Sequence, residues 1–177
     1  DKKEMLRIVY DHRERTYRLL ENLLQWSLMQ RGMIDTNVQI QELRPVIQSQ
    51  IMSLQGRADR KGIIIINKVV PGMSIPIDEN LIKTIFRNLI NNAIKFTPRG
   101  GEIIVQSENT EHAVQIKVID NGVGMKTEVQ EKLFLNGNSY TTGGTENETG
   151  SGLCLRIVKE CVDLHHADIK VMSKEGK

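Results

Sequence analysis

Asn88, Asn92 and Lys95 stand at i, i+4 and i+7 in the stretch Asn88-Leu-Ile-Asn-Asn-Ala-Ile-Lys-Phe-Thr-Pro98. On a helix this spacing stacks them along one stripe. Amide oxygens are hard, neutral ligands suited to Mg²⁺, and an ammonium beside them suits phosphate. The same stripe taken alone reads more readily as solvated helix surface, and Asn91, about 100° round from Asn92, reads as surface. A second group is Asp120-Asn-Gly-Val-Gly124, which follows an apolar alternating run. A carboxylate at a strand end can accept from an exocyclic amine, and two glycines let backbone approach a flat ligand closely. Asn-Gly after a strand is also a hairpin-turn signal. A third group is Gly150-Ser151-Gly152 before an apolar helical pattern. Backbone N–H groups and the helix dipole converge there, as phosphate binding requires; a plain N-cap by Ser151 fits as well. The loop lacks the Gly-Lys-Ser/Thr of a P-loop and the third glycine of a dinucleotide fingerprint.

Elements must hold these groups in place. Leu81, Ile82, Ile85, Phe86, Leu89, Ile90, Ala93 and Ile94 recur at helical spacing, with Asp78-Glu-Asn80 as a start and Pro98 and Gly100-Gly101 as a stop. Asparagine is a mediocre helix former, so three in one helix call for a reason. Val38-Gln-Ile-Gln reads as a short strand, Leu43 to about Arg60 as a helix, and Ile63–Ile66 as a buried strand before a Pro71-Gly72 turn. Glu102–Gln106 and Ala113–Ile119 read as a hairpin. Met125–Lys132 reads as a short helix, Ser151 to about His165 as a longer one, and Ala167–Met172 as a last strand. The glycine-rich stretch from Gly122 to Thr149 is too long for an ordinary connection and is functional or mobile. These elements predict an α+β fold, a two-layer sandwich with a mixed sheet and helices on one face. One long helix over residues 1–34 precedes it, and the second domain spans 35–177. Leu20, Leu23, Leu24, Ser27 and Gln30 form its bundle-like stripe, with Trp26 beside them.

The 177 residues are 39% hydrophobic with a net charge of +2. That charge gives no strong field for polyanions, so nucleic acid is not an expected partner. No apolar run approaches the roughly 20 residues that span a bilayer. Cys154 and Cys161, seven apart on one expected helix, cannot bridge each other there, and a reducing compartment is expected. No zinc-type spacing occurs.

The order of these motifs resembles the ATP-binding catalytic domain of sensor histidine kinases, over about residues 36–175. That domain sits in an ATPase superfamily with gyrase, the mismatch-repair ATPases and a heat-shock chaperone, and Asn-Ala-Ile-Lys-Phe-Thr-Pro98 is the histidine-kinase form. Leu19-Leu-Glu-Asn-Leu-Leu-Gln-Trp-Ser27 resembles the second helix of the kinase dimerisation hairpin. The resemblance implies that Asn92 ligands Mg²⁺ with Asn88 beside it, that Lys95 meets a phosphate and that Phe96 lies near the adenine. It implies that Asp120 accepts from the adenine amino group, with Gly122, Gly124 and Met125 against the base. Phe134 matches the phenylalanine of the lid, and Gly150, Ser151, Gly152 and Leu153 form the phosphate-facing loop. The activity implied is transfer of the ATP γ-phosphoryl group to a histidine outside this sequence. The implied partners are the parent chain's phosphoacceptor domain, a response-regulator receiver domain and a second copy through residues 1–34. The implied setting is cytoplasmic, whether or not the parent is anchored in the inner membrane.

The sequence departs from the pattern in three places. No phosphoacceptor helix is present; His12 lies too close to the second-helix motif to leave room for a hairpin turn. Cys154 stands where the pattern has glycine. The sequence ends at Glu175-Gly-Lys177, where the pattern adds a strand, which reads as a fragment of a longer kinase. Two other readings compete. A pseudo-kinase would keep the fold and bind nucleotide or partner without transfer. A hydrolytic switch of the gyrase type would need a glutamate early in the asparagine helix, and Glu79 lies nine residues before Asn88.

Overall fold

The computed structural model describes residues 20, 24, 27, 35–134, 143–146, 148 and 152–176. The chain divides into two units, Asp1–Asp35 and Thr36–Lys177. In the first, Leu20, Leu24 and Ser27 are helical, with both leucines exposed. The rest of that expected helix, including His12 and Trp26, lies outside the described residues.

The second unit runs β1 (Gln39–Glu42), α1 (Leu43–Lys61), β2 (Ile64–Lys68), β3 (Ser74–Ile77), α2 (Glu79–Phe96), β4 (Glu102–Asn109), β5 (Val114–Asp120), α3 (Thr127–Lys132) and α4 (Cys154–Leu164). The main sheet has the order β2-β4-β5, with β2 parallel and β5 antiparallel to β4. β1 and β3 form a separate antiparallel pair. On β4, Ile103, Val105 and Ser107 are buried while the residues between them are not. This period-2 pattern belongs to a sheet covered on one face. α1, α2 and α4 form the covering layer, with α2 packed between the other two. The core is Leu43, Ile47, Ile51 and Ala58 of α1, Ile85, Phe86, Ile90 and Ile94 of α2, and Ile157, Val158 and Cys161 of α4. The α+β sandwich with a mixed sheet is therefore as the sequence indicated.

Four details differ. The Ile63–Ile66 run begins its strand at Ile64, and that residue is 61% exposed, because only one face of this sheet is covered. Met52, apolar in the α1 pattern, is exposed. β3 is a strand that the sequence reading did not assign; it contains Pro76, which is accommodated because β3 pairs on one side only, with β1. Residues 167–172 are not a strand, since no ladder partner lies beside them among the described residues.

Asp78 holds the start of α2. One carboxylate oxygen accepts from Asn80 N–H at 2.9 Å and Leu81 N–H at 3.1 Å, and the other from Asn37 N–H at 2.7 Å. The Asp78 N–H donates to His165 Nε2 at 3.0 Å, which fixes that ring nitrogen as an unprotonated acceptor. His165, at the end of α4, thereby ties that helix to the start of α2. With three donors served by one buried carboxylate, Asp78→Ala is expected to cost about 2 kcal/mol, the upper end for a lost N-cap. Urea unfolding of the two proteins measures it.

Candidate functional site

The site is organised around the C-terminal end of α2. Pro98 disfavours helical backbone at Thr97, which is extended, with φ −86° and ψ 130°. There is consequently no left-handed glycine cap to fold the chain back over the last carbonyls. Those carbonyls take donors from elsewhere. The helix's own last bond runs from Thr97 N–H to Ala93 O at 2.9 Å, and beyond it Ile94 O accepts from Lys61 Nζ at 2.7 Å. Lys95 O accepts from Thr145 N–H at 3.1 Å and Lys61 Nζ at 3.2 Å. Phe96 O accepts from Val123 N–H at 3.1 Å.

The last bond docks the Asp120–Gly124 loop onto the asparagine helix. A Cβ at Gly122 would lie 2.7 Å from Phe96 O and 2.6 Å from Asp120 Oδ1, so only glycine fits. Asp120 Oδ1 accepts from Gly122 N–H at 2.9 Å, and Oδ2 accepts nothing from the described residues. Burial raises the Asp120 carboxyl above its usual range, and the Gly122 N–H opposes this.

Gly124 has another neighbourhood. Its φ is +69°, and a Cβ there would meet Lys174 O at 2.0 Å. Residues 173–176 cross at this point: Met125 N–H donates to Ser173 Oγ at 2.9 Å, and Gly176 N–H to Val123 O at 3.0 Å. Gly124 and Met125 therefore sit against the chain's own C-terminal segment on one side.

Along α2, Asn88 and Lys95 are buried and Asn92 is half-buried. Asn88 Nδ2 donates to Thr84 O at 2.9 Å, which uses one of its two N–H groups, orients the amide and leaves Oδ1 without a donor among the described residues. Among the described residues no cluster of three or more His, Cys, Asp or Glu could hold a metal. The amide oxygens of Asn88 and Asn92 fit a hard cation already carrying phosphate oxygens and water. Asn91 is not plain surface: its Oδ1 accepts from Arg57 of α1. Lys95 Nζ lies 4.6 Å from the centre of the Phe96 ring. Burial lowers the Lys95 pKa, while Glu148 and Cys154 push it up, which places both near the ammonium.

Gly150 and Ser151 lie outside the described residues. Gly152 has φ +70°, and Leu153, whose side chain cannot cap, precedes α4. The helix thus begins at Cys154, three residues later than Ser151 suggested. Phe134 is half-buried just after α3. Cys161 is buried in the core, which pushes its thiol up to about 12, and both cysteines are free. The structure thus brings Lys95, Phe96, Gly122, Glu148 and Cys154 together. Lys61 and Thr145, which join the same end of α2, carry no motif in the sequence.

Residues 77–177 match the family model described as histidine kinase-, DNA gyrase B- and HSP90-like ATPase. The chain belongs to this family. Histidine protein kinase DivJ of Caulobacter vibrioides is 32% identical over 151 residues, covering 84% of this chain and 24% of DivJ. The chain thus spans about a quarter of that relative's length. Full-length ShkA, solved with AMPPNP, superposes with a TM-score of 0.76 at 22% identity, covering 90% of this chain and 33% of that one. Histidine kinase ThkA, solved with the response regulator TrrA, gives 0.59 at 20% identity, covering 82% and 42%. Within this ATPase-family domain the glycines divide by environment. Gly122→Ala and Gly124→Ala are expected to lower stability by about 1–3 kcal/mol through collision with backbone. Gly143→Ala, with nothing within 4 Å of its Cβ, is expected to stay within about 0.5 kcal/mol. Thermal melts of the three variants test the contrast.

Proposed function

We propose that the chain is the Mg-ATP-binding catalytic domain of a two-component sensor histidine kinase. It donates the γ-phosphoryl group to a histidine carried elsewhere in the parent protein. The observation that carries this reading is the docking of the Asp120–Gly124 loop on the Phe96 carbonyl, at the end of the helix that bears Asn88, Asn92 and Lys95. Membership of the ATPase family and the nucleotide analogue held by the ShkA kinase support it.

Each residue has a stated task. Asp120 Oδ2 accepts from the adenine amino group while Oδ1 keeps the loop turned through Gly122. Phe96 and Met125 flank the base, and Gly122 and Gly124 keep side chains out of its way. Asn92 and Asn88 offer amide oxygens to Mg²⁺, which when bound neutralises phosphate charge. Lys95 meets a phosphate, and Phe134 belongs to the lid. Gly150, Ser151, Gly152 and Leu153, which precede α4 in the sequence, are assigned to the phosphates. Phosphoryl transfer asks a protein chiefly for positioning and charge neutralisation, so this domain supplies no nucleophile. The receiving histidine, a receiver-domain partner of the kind seen with ThkA, and a second copy joined through residues 1–34 complete the proposal. The described residues contain no helix long and apolar enough to cross a membrane. Glu79 pairs with Lys83 at 2.7 Å in the first turn of α2. It lies nine residues, or roughly 13 Å along the helix, from Asn88, too far to act as a hydrolytic base there.

Calorimetric titration of Mg-ATP is the direct test. Asp120→Asn has one oxygen where two are needed, so it must serve both Gly122 N–H and adenine with a single acceptor. Affinity is expected to fall roughly tenfold or more, about 1.4 kcal/mol. Unchanged affinity would remove Asp120 from the site, and no binding by the parent chain would favour the pseudo-kinase reading. Transfer is followed with γ-labelled ATP and a histidine-bearing phosphoacceptor domain added in trans.

The Lys95 pKa gives a second test. Burial holds it below its ordinary 10.5 in the free chain. A polyphosphate alongside favours the ammonium and raises it. At alkaline pH, between the free and bound values, ATP binding is therefore expected to take up a proton. Below the free value no uptake occurs, since Lys95 is already charged. Titrations in two buffers of different protonation enthalpy read this directly, and Lys95→Met should abolish the difference.

A further inference from the structure

We infer that Lys61 is a positioning residue for the nucleotide's phosphates: with Thr145 and Glu148 it latches the returning end of the glycine-rich stretch onto the last turn of the asparagine helix. The inference rests on the nucleotide reading above.

Lys61 is the last residue of α1, only 5% exposed, and far in sequence from every motif. A buried lysine is costly unless its charge is paired and its donors are used. Its Nζ lies 2.7 Å from Ile94 O, 3.2 Å from Lys95 O, 2.7 Å from Thr145 Oγ1 and 3.1 Å from Glu148 Oε1. Three protons serve four acceptors, and the carboxylate supplies the countercharge. Thr145 passes the connection on: its hydroxyl lies 3.1 Å from Thr97 O, and its N–H donates to Lys95 O. Glu148 closes the loop on itself, accepting from Glu146 N–H at Oε2 (2.8 Å), while its carbonyl accepts from Gly144 N–H (2.9 Å). Gly144 then lies flat on Lys95; a Cβ there would meet Lys95 Cγ at 2.6 Å and Glu148 Oε2 at 2.2 Å.

The consequence is specific to one end of the nucleotide. The latch grips the two carbonyls that flank and include Lys95, and it sets Glu148 near that ammonium. It does not touch Asp120. Releasing it should disturb phosphate contacts and leave the adenine contact in place. Burial by itself would raise the Glu148 carboxyl; the two backbone N–H donors and Lys61 outweigh that and bring it below its ordinary 4.5. A depressed carboxylate stabilises the folded arrangement above its unfolded value and loses that contribution only as pH falls through the folded one. The latch is therefore fully formed at neutral pH.

The test uses the intact chain, Lys61→Met and Glu148→Ala, with Arg99→Ala as a control. Arg99 makes the neighbouring Glu146 pair (2.6 Å), but its side chain is 69% exposed, where an ion pair contributes little. Amide exchange of Gly144 and Thr145 is read first, without nucleotide. Both latch variants are expected to accelerate it roughly tenfold or more, and the control less than about twofold. Affinities for Mg-ATP and for adenosine are then compared. Glu148→Ala, the milder variant, is expected to weaken ATP binding about fivefold to tenfold and leave adenosine within about twofold. Unchanged exchange in both variants, or equal loss of ATP and adenosine binding, would overturn the latch. If the parent chain binds neither ligand, the kinase reading fails on its own account, and the exchange data alone decide whether the latch exists.

Discussion

A helix that ends without a glycine cap leaves carbonyl groups that something else must satisfy, and in this protein that obligation organises the side of the fold where α2 ends. α2 stops at Phe96 because Pro98 follows Thr97, so Ile94, Lys95 and Phe96 present carbonyls to the surroundings. Three separate segments answer them: Lys61 from the end of α1, Thr145 from the glycine-rich stretch and Val123 from the loop after β5. An unanswered buried carbonyl costs on the order of 1–3 kcal/mol, so the three segments are held to one point by the same requirement. That point carries Lys95 and Phe96.

The opposite end of α2 is fixed by a complementary device. Asp78 satisfies N–H groups at the helix start and one from Asn37, while its own N–H reaches across to His165 behind α4. Between the two ends, the apolar face of α2 packs against both α1 and α4. The helix that bears the asparagines is therefore clamped at both ends and along its length. This matters for chemistry that depends on position rather than on a reactive side chain, since ligands held by side-chain amides are only as well placed as the helix beneath them.

Glycine in this domain is a spatial requirement in some places and a free choice in others. Gly122 is compelled by the Phe96 carbonyl and Gly144 by the Lys95 side chain, both on the site. Gly124 is compelled by the C-terminal segment at Lys174 instead. The two glycines of Asp-x-Gly-x-Gly thus serve two interfaces, one with the asparagine helix and one with the chain end. A local unit that must satisfy several neighbours at once tolerates little change, which is consistent with a motif rather than scattered glycines.

Much was legible in the sequence. The 3.6-residue recurrence from Leu81 to Ile94 gave α2, the alternation in residues 102–106 and 113–119 gave the hairpin, whose strands run over 102–109 and 114–120, and Asp78 marked the helix start. The asparagine stripe and the Asp120 loop were legible as candidate sites because each is local: spacing along one element decides which side chains share a face. Contacts distant in sequence were not readable. Nothing in the residues around Lys61 says that its ammonium reaches Glu148, 87 positions on, or that His165 meets Asp78 across the same separation. Nor could spacing reveal that Asn91, apparently surface, takes a bond from Arg57, or that residues 167–172 find no ladder partner. Periodicity and turn chemistry determine which elements form and which face each turns inward. Which buried charge finds which partner is decided only when those elements pack, because desolvation makes an unpaired lysine costly and leaves the fold to supply the carboxylate and carbonyls that answer it.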